Sequence, residues 1–137
     1  MRRPLCLLAM LGLLGCASVH TESPCLAPPQ HPMVVTEMFF GRDIPGRQPL
    51  TDSEWSAFAA AVIVREFPDG FTVLDGNGQW TDPRTRILVG ERTKILIAAS
   101  TPTDDLAGRI DRIGDAYRTE FHQQSVGVLT WSACGYF

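Results

Sequence analysis

The chain has no apolar run long enough to cross a bilayer as a helix: Leu5 to Leu14 is ten residues, and a span needs about 20. It has no excess of basic residues either, with 12 Lys+Arg against 15 Asp+Glu. That excludes the clustered positive surface that phosphate backbones require, so nucleic acid is not an expected partner. No His pair stands near two cysteines, and Asp69, Asp75 and Asp82 lack the spacing of a calcium loop, so no metal site is expected. The stretch Asp75-Gly76-Asn77-Gly78 lacks the Gly-Lys-Ser/Thr ending of a phosphate loop and does not open a helix. Neither a Ser-His-Asp order nor a Cys/His pair is suggested. His20 and His31 fall in a linker, and His122 falls near a helix end. The sequence therefore names no catalytic residue and implies no cofactor.

The hydrophobic fraction of 45% and charged fraction of 20% are those of a globular chain, and 137 residues suffice for one domain. Arg2 and Arg3 precede the apolar run, which reads as the core of a signal peptide over 1–15. Leu13-Leu14-Gly15-Cys16 is similar to the bacterial lipobox, so Cys16 is the expected lipidation site. Multiple acyl chains are needed because one gives only marginal membrane binding. Ala17 after that cysteine points to an outer-membrane lipoprotein facing the periplasm, with the membrane as partner through the anchor. The alternative is cleavage after Ala17, giving a soluble periplasmic or secreted protein. Loss of Arg2 and Arg3 leaves 10 basic residues against 15 acidic, a net charge of −5. Residues 16–32 carry Ser, Thr, Gln and prolines without apolar period and read as a tether, leaving a single domain over 33–137. Once Cys6 and Cys16 are set aside, Cys25 and Cys134 form the expected disulfide of an oxidising compartment.

Along the domain, Val34 to Gly41 is rich in β-formers and predicts a first strand. Thr51-Asp52-Ser53-Glu54 is a capping box, flanked by Leu50 and Trp55 at the spacing of a hydrophobic staple. Trp55, Phe58, Ala59 and Val62 then share one helical face, and Pro68 ends the helix. Phe71 to Leu74 starts a second strand. Asp75 to Gly78 is either a hairpin or, in the favoured reading, a bulge within a longer strand through Trp80. Arg86 to Ala99 is a third strand. Thr101, as cap, and Pro102, at the first helical position, predict a second helix with a stripe of Leu106, Ile110, Ile113, Tyr117 and Phe121. Val126 to Trp131 continues as a fourth strand toward Cys134. The order β-α-β-β-α-β predicts an α+β, ferredoxin-like fold: a four-stranded antiparallel sheet in the order 4-1-3-2, with both helices on one face.

Glu-Met-Phe-Phe-Gly (37–41), Trp55 with Phe58, Phe-Pro-Asp-Gly-Phe-Thr-Val-Leu-Asp (67–75), Gly-Gln-Trp (78–80), Glu-Arg-Thr-Lys (91–94) and Tyr117 with Phe121 together resemble an uncharacterised bacterial family, domain of unknown function 3574. The resemblance spans essentially Met33 to Phe137. It implies a small exported protein with a cysteine near its end, and no known activity.

Candidate chemistry centres on Glu37, Phe39, Arg92 and Lys94. If strands one and three are central neighbours, a carboxylate and guanidinium on one face would pair, which contributes about 0–1 kcal/mol when exposed. The ligand-site alternative makes Arg92 and Lys94 donors to an anion, with Glu37 as orienter or base. Alternation puts Glu37 and Phe39 on the sheet face away from the helices, since a buried unpaired carboxylate is costly. Placing Leu88, Arg92, Lys94 and Leu96 on that face leaves Glu91 in conflict. Such a face predicts a homodimer interface or a ligand cleft. The expected role is a membrane-anchored envelope lipoprotein whose non-catalytic domain binds a small ligand or a protein. The alternative is a small envelope enzyme using Glu37, Arg92 and Lys94 on an anionic metabolite.

Overall fold

The structure is a computed structural model that describes residues 25–26 and 28–136. The expected signal peptide, the expected lipidation site Cys16 and most of the expected tether lie outside the described residues. Four strands form one sheet: β1 (His31–Gly41), β2 (Thr72–Thr81), β3 (Leu88–Ser100) and β4 (Gly127–Gly135). Their spatial order is β2-β3-β1-β4, and every neighbouring pair is antiparallel. Read from the other edge this is 4-1-3-2, the expected order.

Helix α1 runs over 52–66 and α2 is Leu106–Phe121. Thr51 caps α1: its hydroxyl accepts the Glu54 N–H at 3.2 Å while the Glu54 carboxylate accepts the Thr51 N–H at 2.8 Å. Within α1, Ala59–Ile63 forms a π-helical turn between α-helical Asp52–Phe58 and Val64–Glu66. That widened turn corrects the helical face. Regular spacing from Phe58 reaches Val62, whereas the π turn delivers Ile63, which is fully buried while Val62 packs only at the core's margin. Helix α2 begins at Leu106 rather than just after Thr101. Its 102–105 approach is a turn in which the Thr103 carbonyl accepts the Leu106 N–H at 3.2 Å. All five residues of the predicted α2 stripe are buried.

The core lies between the helices and one sheet face. Met38 and Phe40 from β1 and Leu96 and Ala98 from β3 meet Trp55, Phe58, Ile63, Tyr117 and Phe121 from the helices. Phe40 and Tyr117 stack edge-on at 4.8 Å between centroids, and Phe58 and Tyr117 at 5.2 Å. Such pairs are worth about 0.5–1.5 kcal/mol beyond area burial.

Strand β1 starts at His31, inside the segment expected to be tether. Strand β2 is neither a hairpin nor a bulge at 75–78. It pairs with β3 residue for residue, Asp75 with Lys94, Gly76 with Thr93, Asn77 with Arg92 and Gly78 with Glu91. The Cys25–Cys134 disulfide is present, with Cα atoms 5.6 Å apart. It forms because β4 runs antiparallel beside β1, setting Cys134 opposite Pro32 near the start of β1.

Candidate functional site

Register decides which face each charged side chain takes, because cross-strand partners share a face. Phe40 pairs with Lys94 and Met38 with Leu96, so Lys94 and Leu96 lie on the helix side. Arg92 and Leu88 alternate with them and take the same side. This corrects the expectation that Leu88, Arg92, Lys94 and Leu96 share the outward face with Glu37. It also removes the conflict at Glu91, which stands on the open face with Thr93, Ile95 and Phe39. Glu37 does lie on the open face, paired with Ile97 and Leu129. It is about 14 Å of strand from Gly41, and it forms no ion pair with Arg92 or Lys94 among the described residues.

Lys94 instead belongs to an ion cluster under the start of α1. Its Nζ lies 2.6 Å from Asp75 Oδ1 and 2.9 Å from Asp52 Oδ1. Arg42 Nη1 lies 3.5 Å from the same Asp75 oxygen and 3.0 Å from the same Asp52 oxygen, and Arg42 Nε donates to the Leu50 carbonyl at 2.8 Å. Both cations are buried and both carboxylates are exposed. Burial alone would lower the Lys94 ammonium's pKa, but hydrogen bonds to Asp75 and Asp52 outweigh it and raise the value overall. Hydrogen bonding and charge from Lys94, with Arg42 behind, hold Asp52 below the usual carboxylate range. Two positive and two negative groups satisfy one another here, so the cluster pins α1 to β2 and β3 and offers no free cation to a ligand.

A cavity of about 310 Å³ opens on the other face, at the end of β1 and the start of β3. Phe39, Trp80 and Val89 form its apolar wall, Glu91 and Thr93 its polar floor, and Gln123 comes from the loop after α2. Burial pushes the Glu91 carboxyl above the usual range, against the Asp43 N–H, which donates to its Oε1 at 3.2 Å. Gly41 makes room for that carboxylate: a Cβ there would come within 2.6 Å of Glu91 Cδ. On the helix side the Tyr117 hydroxyl donates to the Gly41 carbonyl at 2.7 Å, and the Gln123 amide donates to the Asp43 carbonyl. Segment 41–43 is thus held from both faces beside a partly buried, protonatable carboxyl. Chemically, this arrangement can seat a flat or cationic ligand against aromatic rings and exchange a proton with it.

Of the residues singled out in the sequence, Phe39 lines this cavity, Arg92 lines the adjoining groove, Lys94 is committed to the ion cluster and Glu37 is apart. Glu91, Gly41 and Asp43 are not singled out by the sequence as a site, whereas Trp80 reads equally as a ligand platform and as a core or interface residue. The signal was available in β3: assigning the apolar Leu96 and Ala98 inward sends Thr93 and Glu91 outward. The rest of the open face carries Trp131 and Leu129, both exposed.

No curated protein matches the chain. Among solved structures, a phage SAM lyase in complex with S-methyl-5'-thioadenosine is similar, with a TM-score of 0.59 and 18% identity, over 75% of this chain and 90% of that one. The apo form of the phage SAM lyase gives a TM-score of 0.53 at 17% identity, over 76% and 90%. The likeness establishes a shared fold. It overturns the reading as a non-catalytic binding domain, because these two structures are those of an enzyme. The enzyme alternative accords better with this, although its three residues do not converge. Residues 35–137 match the model of the family described as a protein of unknown function, DUF3574, and the chain belongs to that family.

Proposed function

We propose that the protein is a small exported enzyme that takes an adenosyl-sulfur compound in the cavity around Glu91. The observation that carries this reading is a half-buried carboxyl set beside two aromatic side chains, Phe39 and Trp80, in a cavity of about 310 Å³. Ligand pockets begin at about 300 Å³, and a flat, apolar ring with a few placed polar contacts is what such a wall accepts. A sulfonium next to an adenine ring satisfies both parts: the ring packs on the aromatic wall, and the positive sulfur is attracted by the carboxylate and the ring faces. The similarity to a SAM lyase supports the same ligand class.

Cleavage of a sulfonium carbon–sulfur bond returns the bonding pair to sulfur and releases a neutral thioether. If Glu91 takes the proton from the neighbouring carbon, the C–H pair becomes a double bond and the remainder leaves as an unsaturated amino acid. If the substrate's own carboxylate displaces the sulfur, the remainder leaves as a lactone. The first route is the one this cavity favours, because Glu91 is the carboxyl set beside its aromatic wall, so an unsaturated amino acid is the expected remainder.

Export is part of the proposal: it rests on the signal-peptide pattern, and the Cys25–Cys134 disulfide supports a place outside the reducing cytosol. Calorimetry on the full chain with S-methyl-5'-thioadenosine tests the ligand class. Saturable binding that Phe39→Asp abolishes is expected, and no binding by the unaltered chain overturns the reading.

A further inference from the structure

We propose that the groove adjoining the cavity, at the β2–β3 end, is a subsite for the zwitterionic amino-acid end of the ligand, with Arg92 taking its carboxylate and Asp43 its ammonium. The proposal deepens the adenosyl-sulfur reading of the cavity and rests on it.

The groove has a volume of about 530 Å³ and shares Asp43 and Glu91 with the cavity. It lies where β3 runs on past the end of β1 at Gly41, so one elongated ligand can bend round the 88–91 edge of β3 from the open face, which carries Glu91, to the side that carries Arg92. Its walls are polar, with Asn77, Gln79 and Arg92. Asn77 and Arg92 are cross-strand partners, and Gln79 alternates onto the same face. Gly78 and Gly90 complete the groove, and a Cβ at Gly90 would meet nothing within 4 Å. The ribbon here is bare backbone with room above it.

Charge commitment separates Arg92 from most of the other cations. Arg42, Arg47, Lys94, Arg112 and Arg118 each pair with a carboxylate, whereas Arg92 has no ion pair among the described residues. It is also exposed, and so is free to present its planar fork. A guanidinium fork matches a carboxylate in a bidentate manner. Asp43 is the complementary group. Its backbone is fixed, with the N–H on Glu91 and the carbonyl accepting from Gln123, while its carboxylate has no ion pair among the described residues. An uncommitted cation and an uncommitted anion in one groove match an α-amino acid, which carries the opposite charges a few bonds apart. S-methyl-5'-thioadenosine lacks that end, whereas S-adenosylmethionine and S-adenosylhomocysteine carry it.

The test compares two ligands and one free amino acid on the full chain. Calorimetry with S-adenosylhomocysteine and with S-methyl-5'-thioadenosine is run on the unaltered protein, on Arg92→Gln and on Asp43→Asn. Loss of a charge-assisted, bidentate contact is expected to weaken S-adenosylhomocysteine about tenfold or more in Arg92→Gln, with S-methyl-5'-thioadenosine changed by less than about twofold, and Asp43→Asn is expected to weaken S-adenosylhomocysteine more than S-methyl-5'-thioadenosine. Equal weakening of both ligands, or of neither, overturns the subsite. If neither nucleoside binds the unaltered protein, the cavity reading fails by itself, and L-methionine decides the groove. An NMR titration that shifts the Asn77 and Gln79 side-chain amides in the unaltered chain but not in Arg92→Gln supports the subsite, and no shift in the unaltered chain overturns it.

Discussion

The carboxyl of Glu91 lies where the side chain of residue 41 would be, and Gly41 is what allows it. A methyl there meets the far end of a flexible side chain and not backbone, so the Glu91 carboxyl can swing away. Gly41→Ala is therefore expected to fold with a Tm within a few degrees of the parent while losing at least about tenfold in affinity for S-methyl-5'-thioadenosine. Parallel melting and calorimetry check this, and unchanged affinity would contradict the placement of Glu91 in the site.

The raised pKa of Glu91 makes a signed statement about stability. The folded state holds the proton more tightly than the unfolded chain, so between the unfolded value near 4.5 and the higher folded value it binds more protons. Stability falls as pH rises through that window. Glu91→Gln removes the loss, so its stability relative to the parent should increase from pH 4 to pH 7. Denaturant titrations at both pH values measure the difference, and a relative decrease would refute the assignment.

The ion cluster predicts an asymmetry. Lys94→Met removes a buried cation and leaves two exposed carboxylates still beside Arg42, a loss of about 1–2 kcal/mol. Replacing Asp52 and Asp75 together by Asn strands Arg42 and Lys94 in the interior without counter-charge, which is the more costly direction. Thermal melts should therefore rank the double Asn variant below Lys94→Met. The reverse ranking would mean that the carboxylates do not neutralise the buried pair.

Cys25 and Cys134 are 109 residues apart in sequence. For a loop of about 100 residues the chain-entropy model gives about 4.7 kcal/mol as an upper guide, with about 2–4 kcal/mol typical. Cys134→Ser should lower stability by an amount in the typical range, and oxidised parent protein should show no reactive thiol from this pair on thiol counting.

Local signals are legible in the sequence because their partners are a few residues away. Thr51 and Glu54 cap each other across one turn, and the α2 stripe follows from helical spacing alone. The strand order also followed, because β-α-β-β-α-β with two apolar helical stripes leaves few other arrangements. The inward position of Lys94 is not legible, because its burial depends on Asp52 and Asp75, which come from different elements. Nothing near position 94 announces them. A charge taken to point outward at Lys94 sends Arg92 and Leu96 to the open face with it and hides Glu91, which the register places there instead. The π turn in α1 was equally silent: Ala59-Ala60-Ala61-Val62-Ile63 reads as ordinary helix, and it is packing of Ile63 into the core that the wider turn serves.

The central claim is chemistry on an adenosyl-sulfur compound at Glu91, and turnover of S-adenosylmethionine measures it most directly. The full chain is incubated with S-adenosylmethionine at pH 7 and the products are separated by chromatography, beside a protein-free control and Glu91→Gln. Release of S-methyl-5'-thioadenosine above the control is predicted, falling about 100-fold or more in Glu91→Gln, the range for loss of a general base. Release no greater than the control, or equal release by Glu91→Gln, would contradict it.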